Sequence, residues 1–222
     1  VQARGLRGHP LLDRLTDNEA SLIAAYKAIC SAVSEGAAIT PAAEWLIDNF
    51  HQVERQIRQV RSDLPPGYYR QLPKLADGPF AGLPRVFGMA WAFVAHTDSR
   101  FDVDVWCSFV HAYQTVQPLT IVELWASAIT LRIILIENLR RIAERIVFSR
   151  DERRRADELA NQLLGAGGPK AELSLAGAKG LDQGPLSDAF LLQLVFRLRD
   201  QGPSVATLLA GYPVTGPGAT IN

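Results

Sequence analysis

A long apolar stretch between Pro118 and Leu164 predicts the central element of the fold. It contains no Gly or Pro after Pro118, so nothing in it interrupts a helix. Residues 124–136 are apolar at almost every angle of a helical wheel, and a helix of that kind must be covered by other helices or by lipid. We therefore predict a central helix over residues 120–148, with a charge-rich continuation that emerges into solvent.

Charged residues within this stretch favour a helical bundle over a membrane span. Glu123, Arg132 and Glu137 divide the apolar run, whereas a transmembrane helix needs about 20 mostly apolar residues. We therefore expect no direct membrane span in this chain. Trp125 and Trp45, which lie within helical patterns, are expected to fill the core of the bundle.

A second helix with a regular apolar seam is predicted between Thr40 and Pro65. Thr40 is a suitable N-cap, and Pro41 suits the first helical position. Apolar residues then step by four and three positions, which is the spacing of a coiled-coil seam: Leu46, Phe50, Val53, Ile57, Val60 and Leu64. This helix is the best candidate to pack against the central one.

Further helices complete an all-α fold. Apolar periodicity and start signals predict helices over residues 16–34, 85–97 and 186–201, and another that begins at Asp102. No stretch alternates apolar and polar residues as a half-buried strand does. The predicted architecture is therefore a helical bundle around a long central helix.

Two segments rich in Gly or Pro set the domain organisation. Residues 62–84 contain too much Pro and Gly for regular structure, yet their apolar side chains predict an ordered Pro-rich loop that lies on the bundle. Residues 165–185 are a Gly-rich linker instead. We thus predict a bundle domain with an N-terminal arm over residues 1–164. Residues 186–222 form a C-terminal helix and tail, which pack on the bundle or begin a following module.

Charge and cysteine content narrow the classes of function. Lys+Arg and Asp+Glu both number 23. This balance argues against sequence-independent nucleic-acid binding, which needs a surplus of basic residues. Cys30 and Cys107 stand beside apolar neighbours in helical patterns, so we expect two buried thiols and a mild preference for the cytoplasm. The chain lacks an initiator Met and ends in a loop-like tail, which suggests a piece of a longer protein.

Asp102 and Asp104 have the D-x-D spacing with which glycosyltransferases hold a divalent metal. No buried strand precedes them, and Asp102 stands where a helix N-cap is needed, so we interpret the pair as a helix cap. The sequence also contains no nucleophile motif, phosphate loop or dinucleotide fingerprint. We predict no catalytic residue, no metal and no cofactor in this segment.

A group of polar residues is expected inside the bundle. Glu44, Asp48 and His51 share one face of the seam helix, where they could ligate a metal or form an acid–base pair. A hydrogen-bonded polar face is the interpretation we favour. Arg132, which is surrounded by apolar residues, needs a carboxylate if it is buried, and Glu44 or Asp48 is the expected partner. These four residues form a candidate buried polar network.

Aromatic and cationic side chains mark the Pro-rich loop as a candidate binding or docking face. The residues concerned are Tyr68, Tyr69, Arg70, Lys74 and Arg85, with His96 in the following helix. Aromatic rings and cations on an ordered loop could bind a sugar face or an acidic partner surface. The alternative is that the tyrosines hold the loop in place, and that His96 stands at a helix C-terminus because its charge is favourable there.

Several short segments of the sequence resemble the N-terminal region of bacterial cyclic β-1,2-glucan synthases. They are EWLIDNF, DLPPGYYRQLPKL, GLPRVF, AHTDSRFD, VQPLTIVELWA and LIENLRR. Together they cover residues 39–148, and the flanking segments match more loosely, as in FLLQLVFRLRDQ. The resemblance implies a very large inner-membrane parent protein, with a cytoplasmic glycosyltransferase region that builds β-1,2-glucan from UDP-glucose.

The resemblance implies no catalytic residue for this segment. It contains neither the strand–helix alternation nor the Q-x-x-R-W motif of such transferases. The first hypothesis is a non-catalytic helical domain that docks on or regulates the transferase region. It would lie on the cytoplasmic side of the inner membrane, and its partners would be the remaining domains of the same polypeptide. The second is a carbohydrate- or nucleotide-binding module that takes glucan or UDP-glucose. The third is an independent all-α enzyme that uses Glu44, Asp48 and His51.

Overall fold

The computed structural model describes residues 10–164 and 186–199, and the fold is all-α as predicted. Within these ranges the only β pairing is an isolated bridge between Lys74 and Pro84. The helices of the described residues are α1 (Pro10–Ser34), α2 (Pro41–Asp63), α3 (Pro66–Gln71), α4 (Arg85–His96), α5 (Val103–Val116), α6 (Ile121–Leu164) and α7 (Asp188–Leu198).

The chain divides into two compact units within α6. Unit 1 is Val1–Glu144 and unit 2 is Arg145–Asn222, whereas the sequence suggested a boundary after residue 164. The predicted Gly-rich linker and C-terminal tail lie outside the described residues. None of the described helices combines the length and the low charge that a bilayer crossing requires.

The first part of α6 forms the centre of unit 1, as predicted. It is linked to α1 by the Arg14–Glu137 ion pair at 2.5 Å and to α4 by the Arg85–Glu123 ion pair at 2.5 Å. The α2 seam faces the core, and every seam residue from Leu46 to Leu64 is buried. The four-and-three spacing therefore identified the buried face of α2 correctly.

Helix caps explain where several elements begin. Asp102 accepts hydrogen bonds from the backbone N–H groups of Asp104 and Val105 at 2.9 and 3.0 Å, which confirms its interpretation as a cap. Thr40 caps α2 by accepting from the Ala43 N–H at 3.3 Å. The predicted start at residue 16 was wrong, because α1 begins at Pro10 and the Thr16 hydroxyl donates to the carbonyl four residues before it.

The Pro-rich loop is ordered against unit 1 and includes one short helix, α3, which its composition did not predict. Leu75 and Leu83 pair through a backbone hydrogen bond of 2.9 Å. Gly82 has a φ of 83°, a conformation that favours Gly. A Cβ on Gly88 of α4 would lie 3.1 Å from a Leu75 methyl group, so the loop packs closely on α4 where no side chain intervenes.

Unit 2 contains the last part of α6 and the short α7. Its described core is an apolar cluster formed by Ala156, Leu159, Ala160, Leu186, Phe190, Leu194 and Leu198. Ser187 caps α7 and donates to Glu152 at 2.6 Å. The charge-rich continuation of α6 exposes Arg153, Arg154 and Arg155 to solvent, as expected, and it also carries an apolar stripe covered by α7, which its composition did not predict.

Two predictions about buried side chains were also wrong. Trp45 and Trp125 are 53% and 69% exposed, so neither indole fills the core. Cys107 is exposed and Cys30 is half-buried. An amphipathic pattern identifies a helix, but the number of neighbouring elements decides how much of its apolar face is covered.

Candidate functional site

The predicted buried polar network does not form. Glu44, Asp48 and His51 are all exposed on α2. Arg132 is half-buried and pairs with Asp63, near the end of the same helix, at 3.1 Å. No group of three or more His, Cys, Asp or Glu side chains in the described residues is placed to hold a metal ion.

The tyrosines of the Pro-rich loop hold it on unit 1. The Tyr68 hydroxyl donates to the Val122 carbonyl at 2.7 Å, and burial raises its pKa. Tyr69 is 2% exposed, and burial, together with the charge of Asp13, raises the pKa of its phenol. The Lys74 ammonium lies over the Tyr69 ring, 4.4 Å from its centroid. Tyr69 is therefore part of the core, and the proposal that it offers a docking surface was wrong.

The remaining candidates of this set have separate environments. Arg70, Lys74 and His96 are exposed. Arg85 turns inward, where it forms a bidentate pair with the fully buried Glu123 at 2.5 and 2.7 Å. The sequence-predicted candidates therefore do not converge on one binding site.

Glu123 links the start of α6 to the Pro-rich loop and to α4. One of its oxygens also accepts from the backbone N–H and the hydroxyl of Thr120, at 2.9 and 3.0 Å. Burial by itself raises the pKa of the Glu123 carboxyl, but the hydrogen bonds from Arg85 and Thr120 outweigh it and hold the pKa below its ordinary value. The capping box was readable in the sequence; its partner Arg85 was not.

Apolar side chains are exposed along α5 and at the start of α6. On α5 the only buried residue is Val110. We use the term α5–α6 surface for the exposed set Phe101, Val103, Val105, Val116, Ile121 and Trp125. Val116 is 87% exposed. Exposed apolar groups at this density are typical of interaction surfaces.

Aromatic contacts hold one side of α5 against α4, and the α5–α6 surface stays exposed. The buried Phe93 of α4 contacts Trp106 at 4.9 Å and Phe109 at 5.7 Å between ring centroids. Val105 and Val116 are eleven positions apart, about three helical turns, and so lie on one face of α5. Val116 and Ile121 flank the short connection between α5 and α6, so the exposed set includes residues of both helices.

A small open cavity lies between the end of α4 and the middle of α6. Its volume is about 320 Å³, and we call it the Trp91 cavity. It is lined by Trp91, Val94, Ala95, Asp98, Ser99, Ile134, Asn138 and Arg141. Residues 98–99 and 138–141 are about 40 positions apart in the chain, and no local sequence pattern indicates that they meet.

The described residues thus define a helical domain with an exposed apolar surface and a small polar cavity. Over 198 residues, which are 89% of its length, the chain is 41% identical to the cyclic beta-(1,2)-glucan synthase NdvB of Rhizobium meliloti. The chain spans 7% of the length of that relative. No family model matches the chain. The predicted resemblance to cyclic β-1,2-glucan synthases is confirmed.

Proposed function

We propose that this chain is a non-catalytic helical domain of a cyclic β-1,2-glucan synthase, which docks on another part of the same enzyme through the α5–α6 surface. In this proposal the parent uses UDP-glucose, and the domain lies on the cytoplasmic side of the inner membrane without a cofactor of its own. The observation that supports the docking role is the set of exposed apolar side chains on α5 and at the start of α6.

The size of the relative supplies a partner for this surface. The region that it shares with the present chain is 7% of its length, so most of that synthase consists of other segments. Burying an exposed indole and several valines against such a segment would be favourable by about 25 cal/mol for each Å² removed from water. Aromatic side chains at the centre of a docking surface contribute the most to its affinity.

The charge of the surface favours a protein partner over a lipid headgroup. Residues 101–131 contain no Lys or Arg, while Asp102 and Asp104 are acidic and exposed. Helices that bind anionic membrane surfaces carry Lys and Arg beside their apolar face. The α5–α6 surface has the apolar component of such a helix without the basic one, which supports docking on protein.

A reconstitution experiment tests the docking role. The 222-residue chain is titrated against the same synthase expressed without this segment, and the affinity is measured by biolayer interferometry. Trp125→Ala is expected to weaken association at least tenfold, because a central aromatic anchor typically contributes about 2 kcal/mol or more. The matched control is Trp45→Ala, an exposed tryptophan outside the surface, which should leave the affinity unchanged.

Two results would contradict the proposal. Equal affinities of the Trp125→Ala variant and the unaltered chain would exclude docking through this surface. Transfer of glucose from UDP-glucose by the isolated chain would show that the domain is catalytic. The alternative module built on Tyr68, Tyr69, Arg70 and His96 has lost its support, since the tyrosines pack inward.

A further inference from the structure

We propose that the Trp91 cavity binds one pyranose ring of a neutral glucan. The proposal rests on the proposed function only in its choice of glucan, because the preference for a neutral sugar follows from the residues that line the cavity. Its volume of about 320 Å³ is near the lower limit of ligand pockets, which span about 300–1,000 Å³. That size suits a single sugar ring better than a nucleoside diphosphate.

The aromatic and apolar wall of the cavity fits the C–H face of a sugar. Trp91 keeps 39% of its surface exposed, and the ring of Phe80 lies 5.2 Å from it between centroids. Phe80 therefore supports the indole and limits its rotation. Val94 and Ile134 complete the apolar part of the lining. A partly exposed, supported indole offers a flat apolar platform with a negative π face towards polarised C–H groups.

The polar part of the lining is ordered by hydrogen bonds. The Asn138 amide donates to the Ser99 hydroxyl, and the Arg141 guanidinium donates to the Asn138 carbonyl oxygen at 2.9 Å. These bonds fix the amide and leave further N–H groups on Asn138 and Arg141. The Asp98 carboxylate adds acceptors. Sugar hydroxyls both donate and accept, so a wall with both kinds of group suits them.

The backbone places two of these groups at the cavity. Asp98 and Ser99 have φ values of 49° and 63°, a left-handed conformation that residues other than Gly rarely adopt. The turn is closed by the Ser99 N–H, which donates to the Val94 carbonyl at 3.0 Å. It ends α4 and carries the side chains of Asp98 and Ser99 to the cavity lining.

The charges of the lining favour a neutral ligand over a phosphate. Arg141 is the one cation and Asp98 the one anion among the lining residues, so their charges balance. An anion drawn to Arg141 would also meet the carboxylate of Asp98, and like charges repel at close range. A nucleotide sugar is therefore a poorer fit than an uncharged glucan.

Calorimetry with defined sugars tests the assignment. The 222-residue chain is titrated with linear β-1,2-linked gluco-oligosaccharides, with cello-oligosaccharides and with UDP-glucose. We expect the β-1,2-linked sugar to bind and to shift one of the four tryptophan indole N–H resonances. Trp91→Ala should weaken binding about tenfold, and Arg141→Ala several-fold. Trp45→Ala removes a tryptophan elsewhere and should change neither signal.

Two variants are needed because Trp91→Ala and Arg141→Ala differ in their effect on the packing of the domain. Trp91 also packs on Phe80, so its replacement could disturb the loop; Arg141 is exposed, and its replacement leaves the core intact. The proposal is overturned if no glucan binds, if binding is unchanged in both variants, or if UDP-glucose binds and UDP displaces it. If cello-oligosaccharides bind at Trp91 and β-1,2-linked sugars do not, the assignment of the ligand as the glucan of the proposed function is overturned, whereas docking through the α5–α6 surface is tested separately by Trp125→Ala.

Discussion

Removing one member of the Arg85–Glu123 pair should destabilise unit 1 by several kcal/mol. The Glu123 side chain is 0% exposed and Arg85 is 11% exposed. Water would therefore hydrate little of the charged group that is left without its partner. Breaking a buried ion pair from one side typically costs about 3–5 kcal/mol. Two donors from Thr120 would remain on Glu123, so for Arg85→Met we expect about 3 kcal/mol, the lower end of that range.

A double variant separates the buried charge from the lost contacts. In Arg85→Met the remaining cost comes from a buried carboxylate without its cation. Adding Glu123→Gln removes that charge and keeps the capping box, in which Gln can replace Glu. The double variant should therefore be more stable than Arg85→Met alone, with a coupling energy of about 0.5–3 kcal/mol.

Lowering the pH should remove the stabilisation that the Arg85–Glu123 pair provides. Because the pKa of Glu123 is lowered in the folded protein, its pair contributes stability that is complete above the unfolded pKa of about 4.3 and is lost as the pH falls through the folded value. In Arg85→Met the guanidinium is absent, so the stability gap between this variant and the unaltered chain should narrow below about pH 4.

Tryptophan fluorescence during urea unfolding measures this effect in unit 1. All four tryptophans lie within residues 1–144, so the signal reports that unit. A loss below about 1 kcal/mol in Arg85→Met, the range typical of exposed pairs, would refute the burial argument. A double variant less stable than the single one would refute the assignment of the cost to the unpaired carboxylate.

Three further measurements test burial elsewhere. Tyr69→Ala should cost about 3–5 kcal/mol, as large core truncations do, whereas Trp125→Ala should cost under about 1 kcal/mol, as exposed substitutions do; equal losses in urea would contradict the difference in exposure. Ser187→Ala removes the cap of α7 and should cost unit 2 about 0.5–2 kcal/mol, visible by circular dichroism but not by tryptophan fluorescence. Cys107, which is exposed, should react with a thiol reagent faster than the half-buried Cys30, and equal rates would show that both are accessible.

The buried face of α2 could be predicted because the spacing of its apolar residues defines one side of the helix. Apolar residues at every third and fourth position define one face, and that face is buried from Leu46 to Leu64. The first part of α6 has no such one-sided pattern, since it is apolar at almost every angle of the helix. Its helical state could be predicted, but the side left uncovered at Trp125 depends on how many helices surround it.

Contacts between distant elements could not be predicted for a different reason. The partner of Arg132 was expected at Glu44 or Asp48 and lies at Asp63, on the same helix. The sequence selected the right helix, but the offset of α2 along α6 is set by side-chain packing. The Asn138–Ser99 contact joins positions 39 apart, and no local pattern relates them.

The two proposed activities can coexist because they use different parts of α6. Asn138 follows Trp125 by thirteen positions, which is about 20 Å along the axis at 1.5 Å per residue. At about 100° per residue the two side chains also leave the helix roughly 140° apart. A partner segment seated on Trp125 would therefore leave the Asn138 side of the Trp91 cavity open. A domain anchored through Trp125 could hold a glucan at Asn138, and Trp125→Ala should weaken docking without changing the affinity for the sugar.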